Sequence, residues 1–101
     1  MIKSKVTLVN KLGLHARAAT KLAQLSQKFD AKVTIELESK QADASSIMGL
    51  MLLAGGQGKE VTIHTEGLEA QDALDNVCQL FSDKFDEDEY RLLVVANTYL
   101  T

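Results

Sequence analysis

The hydrophobic period of this chain switches repeatedly between two residues and about 3.6, and that switching restricts the folds open to it. Residues 2–9 (IKSKVTLV) alternate, with Ile2, Ser4, Val6 and Leu8 on one side and Lys3, Lys5, Thr7 and Val9 on the other, which predicts a strand. From about Ala16 to Lys28 the chain is rich in good helix formers, and Ala18, Leu22, Leu25 and Phe29 fall on one helical stripe. AKVTIELES, residues 31–39, alternates again: Val33, Ile35 and Leu37 against Lys32, Thr34, Glu36 and Glu38. SKQADA at 39–44 permits a turn and a short strand. Residues 46–54 (SIMGLMLLA) form a short apolar run that Ser45 or Ser46 would cap as a helix. GGQGK at 55–59 stops it, with glycine supplying the positive φ that a helix end and a turn require. EVTIHTE, residues 60–66, sets Val61, Ile63 and Thr65 against Thr62 and His64. Residues 68–85 then place Leu74, Val77, Cys78, Phe81 and Phe85 at helical spacing.

The predicted order is β-α-β-β-α-β-α, with no internal repeat and no linker. It specifies an α+β fold in which one antiparallel sheet is covered by helices on one face and wet on the other. A chain of 101 residues suits one domain with one modest core. Its one cysteine excludes an internal disulfide framework and a Cys-based zinc finger, and it has no proline to punctuate its turns. Residues 83–89 (DKFDEDE) carry a balance of −4 against −3 for the whole chain, so the acidity is expected in one solvated segment rather than in the folded body. No basic face or stacking aromatic set supports a nucleic-acid module. No apolar run approaches the ~20 residues of a membrane span. MIKSKV lacks the apolar core of a signal peptide, so a cytoplasmic protein is the expectation.

Chemistry concentrates at Gly13-Leu14-His15-Ala16-Arg17, immediately before the first helix. The first N–H groups of a helix lack intrahelical partners and the helix dipole is positive there, so such an end receives anions. Neutral imidazole is nucleophilic, and its nitrogen can attack phosphorus to give a phosphohistidine. Arg17 would neutralise phosphoryl oxygens through paired hydrogen bonds, and Gly13 would let the backbone turn sharply. Spacing alone leaves a second reading open, in which His15 caps the helix and Arg17 is merely solvated. His64 reads as a surface histidine, and two histidines give little support to a metal cluster. Cys78 reads as a buried, inert thiol. The glycines before Lys59 do not make a phosphate-binding loop, because Leu53 and Glu60 stand where that motif needs glycine and a hydroxyl. In the short apolar run, Ile47, Leu50, Met51 and Ala54 would face inward, while Met48 and Leu52 point elsewhere. Apolar residues all round so short a helix mean either full burial or an exposed docking patch.

The stretch from Gly13 to Arg17, followed by Ala18 and Ala19, resembles the active-site motif of HPr, the histidine phosphocarrier family of the bacterial phosphoenolpyruvate-dependent phosphotransferase system, whose pattern is G-L-H-A/T-R-P-A. The resemblance runs through about residues 3–88, and Ser46 with Ile47 and Met48 matches a second signature, a serine opening a short helix. It implies the family's open-faced β-sandwich of four antiparallel strands and three helices, occupying residues 1–88. Residues 89–101 (EYRLLVVANTYLT) are then a C-terminal extension of no assigned role.

By the same resemblance the protein is a carrier rather than an enzyme with turnover of its own. His15 would accept a phosphoryl group on Nδ1 from phosphorylated enzyme I and pass it to an enzyme IIA. Arg17 would assist, with Gly13, Ala16 and Ala18 shaping the loop and helix start. Partners would dock transiently around His15 and the short helix, on Met48 with Ile47 and Leu52. Ser46 matches the serine that a dedicated kinase phosphorylates in some bacteria, where the added charge would hinder partners. NKLGLHARAA and the FDED at 85–88 resemble NPr, the nitrogen-branch paralogue, more than the sugar-branch HPr. A monomer with no cofactor, no metal and no membrane insertion is expected. The competing readings are sugar-branch HPr and a regulatory module whose partner binding is gated by phosphorylation. The motif departs from the family once: Ala18 stands where the pattern has proline.

Overall fold

A computed structural model describes residues 1–87. They form β1 (Ile2–Thr7), α1 (Ala16–Ser26), β2 (Lys32–Leu37), β3 (Lys40–Asp43), α2 (Ile47–Leu52), β4 (Glu60–Glu66), α3 (Ala70–Ser82) and a 3₁₀ turn at Lys84–Asp86. The strands pair antiparallel in the order β1-β4-β2-β3. Register places Ser4, Ile63, Ile35 and Ala42 in one row across the sheet, which carries the apolar alternation of each strand onto a single face. Against that face α3 lies on β1, β4 and β2, α2 touches β3, and α1 packs on α2 and α3. Leu8, Leu22, Ile35, Leu50, Val61, Ile63, Val77 and Phe81 are the fully buried centre. The outer face carries Lys3, Lys5, Glu36, Thr62 and His64. This is the open-faced β-sandwich that the alternation and the family resemblance both predict.

Several boundaries differ from the sequence reading. Helix α1 stops at Ser26, short of Lys28: the Ser26 hydroxyl donates to the Ala23 carbonyl (2.9 Å) and the Lys28 N–H reaches Leu25 O (3.1 Å), three residues back. Helix α3 begins at Ala70, leaving Leu68 exposed. Its entry is pinned by Glu69, whose N–H donates to Asp30 O (2.9 Å) and whose carboxylate accepts from Asp30 N–H (2.8 Å). Cys78 is half-buried at the edge of the core rather than inside it.

In α2 only Leu50 is buried, because a helix of six residues can lay one ridge on the core; the expected inward positions Ile47, Met51 and Ala54 are exposed. The left-handed residue that ends α2 is Ala54 (φ +55°), not a glycine. Gly55 serves a different need, since a Cβ there would stand 2.8 Å from Leu8 Cδ1 and 3.1 Å from Leu14 Cδ1.

The largest departure follows α3. Lys84, Phe85 and Asp86 have φ of +57°, +55° and +58°. Each left-handed residue costs roughly 1–2 kcal/mol, and the turn persists because Phe85 is buried by it, with its ring centroid 4.8 Å from that of Phe81. An ion pair of 3.2 Å from Lys21 to Asp86 fastens the turn to α1. The chain is thereby reversed, and the Glu87 side chain is only 5% exposed. Of the acidic run, Asp83 and Asp86 are exposed as expected and Glu87 is folded onto the body instead; residues 88–101, with the extension expected from 89, lie outside the described residues. No helix among the described residues is long and apolar enough to cross a membrane.

Candidate active site

The loop between β1 and α1 is bolted to the loop after α2. Leu8 N–H donates to Lys59 O and Gly58 N–H to Leu8 O, both at 2.8 Å, and Leu14 N–H donates to Gly55 O at 2.9 Å. Gly13 has φ +63°, and a Cβ on it would collide with the Gly55 carbonyl, so glycine is required there on both counts. Asn10 forms the floor of the loop. It is 1% exposed, and its Nδ2 donates to Gly13 O and to Glu87 Oε2, each at 2.8 Å.

His15 is the N-cap of α1, with extended backbone (φ −73°, ψ 174°), and its carbonyl accepts from Ala19 N–H at 2.9 Å. Its side chain makes no capping hydrogen bond. His15 therefore holds the N-cap position through its backbone alone, and its ring is left out of the cap. The N–H groups of Ala16, Arg17 and Ala18 open the helix without intrahelical partners, and no acid lies in the first turn to satisfy them. Arg17 is exposed and forms no ion pair among the described residues. Ala16 is exposed and Ala18 is fully buried.

The His15 side chain is 28% exposed, yet its Nε2 is enclosed and has no hydrogen-bond partner among the described residues. The atom facing it is Glu87 Oε2, 3.6 Å away. Enclosure of Nε2 leaves Nδ1 as the nitrogen able to meet an incoming electrophile. A nucleophilic nitrogen, exposed first-turn N–H groups at the positive end of a helix and a guanidinium two residues on together suit a phosphoryl group. Glu87 is the residue that sequence reasoning missed. The available signal was Phe85: an aromatic inside an acidic run must find cover, and covering it draws its neighbours onto the body.

The other singled-out residues fall elsewhere. Ser46, not Ser45, caps α2, its Oγ accepting from Gly49 N–H at 3.0 Å. Ser45 instead gives both its hydroxyl (2.7 Å) and its N–H (2.8 Å) to Asp43 Oδ1, which holds that carboxyl below its ordinary range, the hydroxyl contributing most. Met48 (69%) and Leu52 (71%) are well exposed, and Ile47 (39%) less so. His64 lies on the outer face of the sheet, away from His15, half-buried with its Nε2 2.8 Å from Glu36 Oε1, so it is paired rather than freely solvated. Among the described residues no group of three or more His, Cys, Asp or Glu side chains is placed to hold a metal ion.

A family model described as "PTS HPr component phosphorylation site" matches residues 2–83. The chain is 51% identical over 86 residues to phosphocarrier protein NPr of Shewanella violacea, covering 85% of this chain and 94% of that protein. It is 45% identical over 89 residues to phosphocarrier protein HPr of Cupriavidus necator, covering 88% and 100%. Among solved structures, HPr-C-His from Thermoanaerobacter tengcongensis superimposes with a TM-score of 0.83 at 35% identity, covering 87% of this chain and 99% of that one.

Proposed function

The chain belongs to the HPr family of phosphotransferase-system phosphocarriers, and on that footing we propose that His15 accepts a phosphoryl group from phosphorylated enzyme I and delivers it to an enzyme IIA of the nitrogen branch. The observation that carries this reading is the His15 ring, set at the start of α1 yet forming no cap, with Nε2 enclosed and Nδ1 left for the phosphorus. The lone pair of Nδ1 forms the N–P bond while the donor keeps the electron pair of the bond that breaks. The N–H groups of exposed Ala16 and Arg17 and the exposed Arg17 guanidinium receive the phosphoryl oxygens.

Met48, Leu52 and Ile47 on α2 supply the apolar surface on which partners dock, and α2 packs directly on α1. Ser46 opens that helix, so a phosphate on it would set about two negative charges against the same surface. The protein acts in the cytoplasm as a monomer that meets its partners transiently. The 51% identity to a nitrogen-branch carrier favours that branch over the sugar branch.

Incubation with enzyme I and phosphoenolpyruvate is expected to add one acid-labile phosphoryl group, absent from His15→Ala. Label retained by His15→Ala would sink the assignment. Presenting the labelled carrier to nitrogen-branch and sugar-branch enzyme IIA side by side tests the branch, and faster transfer to the sugar-branch acceptor would reverse it.

A further inference from the structure

We propose that Glu87 is a positioning residue for His15: its carboxylate holds the imidazole in the tautomer that carries its proton on Nε2, keeping the lone pair on Nδ1. The inference rests on the phosphocarrier reading of His15 and adds to it a residue from the far end of the described chain.

Glu87 is built into the site rather than laid against it. Oε2 accepts from Asn10 Nδ2 (2.8 Å) and Oε1 accepts from Leu12 N–H (3.3 Å), so two donors from the loop that precedes His15 fix the carboxylate. The left-handed turn at Lys84–Asp86 aims it there, a costly conformation retained beside a functional site. Its Oε2 is then 3.6 Å from an enclosed Nε2 that has no other partner among the described residues.

The two neutral tautomers meet that oxygen differently. With the lone pair on Nε2, two electron-rich atoms face each other where water is excluded. With the proton on Nε2, the contact is attractive and the lone pair lies on Nδ1. At 3.6 Å the contact is longer than a hydrogen bond, and such contacts tighten when charge develops. Charge does develop here. Nδ1 gives its lone pair to phosphorus, the donor keeps the electrons of the bond that breaks, and Nε2 retains its proton. The ring becomes a phosphorylated imidazolium, with Glu87 facing its positive edge. When the group leaves, the N–P electron pair returns to Nδ1 and the ring is neutral again.

The test uses the full chain with ¹⁵N-labelled histidine, whose long-range ¹H–¹⁵N correlations report the tautomer, together with phosphoryl-transfer kinetics from enzyme I. In Glu87→Ala the ratio of the Nε2–H to the Nδ1–H tautomer is expected to fall at least fivefold. The kcat should fall about tenfold with KM within twofold, because Glu87 is too enclosed to touch a partner. A tautomer ratio within twofold of wild type, or a change confined to KM, overturns the proposal. Should the alanine variant not fold, Glu87→Gln, which keeps the volume and loses the charge, is judged by the same kcat and KM criteria. Failure of wild-type protein to take a phosphoryl group on His15 would remove the carrier reading alone, since the tautomer ratio is measured without any donor.

Discussion

Asn10 and Glu87, 77 positions apart in sequence, are joined by a 2.8 Å hydrogen bond from Nδ2 to Oε2, and the same amide nitrogen donates to Gly13 O. One buried side chain thus couples the bend before His15 to the end of the described chain.

Replacing Asn10 by alanine leaves the Gly13 carbonyl and the Glu87 carboxylate each short of a donor in a place water does not reach. A loss of about 1–3 kcal/mol is expected. Urea denaturation should show a lower midpoint with an unchanged slope, and Asn10→Asp, which sets a second carboxylate against Glu87, should lose more. An unchanged midpoint in Asn10→Ala would show that the bond contributes nothing net.

Ala54 occupies the left-handed region at φ +55° and is exposed, so its methyl group adds little packing. Ala54→Gly relieves a conformational penalty of roughly 1–2 kcal/mol and loses about 0.5–1 kcal/mol to the freer unfolded chain. A net gain of about 0.5–1 kcal/mol is expected, which for a domain of this size raises Tm by a few degrees. A thermal scan showing no rise, or a fall, would mean that the left-handed geometry costs less than the glycine's added freedom.

The strands and long helices were legible because each writes its period into sequence: Val33, Ile35 and Leu37 declare one face of β2, and Leu74, Val77 and Phe81 one stripe of α3. The site was half legible. Gly13, His15 and Arg17 are local and adjacent to the helix they open, but their spacing alone leaves the capping reading open, and the family resemblance supplies the phosphoryl chemistry. Two things escaped. Six residues of α2 are too few to set a stripe, so its packing was decided by the sheet beneath it rather than by its own pattern. Glu87 escaped because its role depends on three successive left-handed residues, which no propensity favours in Lys-Phe-Asp, and on a partner at the other end of the chain.

The acid dependence of stability should carry a contribution from Asp43. The Ser45 hydroxyl, and after it the Ser45 N–H, hold its carboxyl below the ordinary value of 3.8. A depressed carboxyl stabilises the fold above its unfolded value, and that contribution is lost as pH falls through the folded one. Ser45→Ala removes the larger cause. It is therefore expected to be slightly less stable than wild type at neutral pH, with the difference closing as pH falls below about 4. Denaturation curves across pH 2–7 would read this directly, and a difference that widened on acidification would contradict it.

Arg17 is exposed and unpaired among the described residues, so Arg17→Ala should leave stability within about 0.5 kcal/mol of wild type. Removing a cation from the phosphoryl oxygens should slow transfer by about 10²-fold. Rapid-quench measurement of transfer from enzyme I separates the two effects, and a wild-type rate would remove Arg17 from the site.

Ala18→Pro restores the residue that the family pattern has in the first turn. The N–H of Ala18 has no intrahelical partner, since the first such bond in α1 runs from Ala19 to His15, so the substitution breaks nothing inside the helix. Fixing φ in advance stabilises by about 0.4–1 kcal/mol through the unfolded chain. Against this, Ala18 is fully buried and added ring atoms need room, at about 1–3 kcal/mol where they do not find it. The pyrrolidine ring joins the buried Cβ to the backbone nitrogen, so the added carbons partly enter the packed side and the two effects should nearly cancel. The sharper consequence is chemical. The Ala18 N–H belongs to a fully buried residue, so deleting it should leave the contacts of a phosphoryl group on His15 unchanged, and the phosphorylated variant should hydrolyse at the wild-type rate at the same pH. A hydrolysis several-fold faster would mean that the Ala18 N–H does reach the phosphoryl group beside those of Ala16 and Arg17.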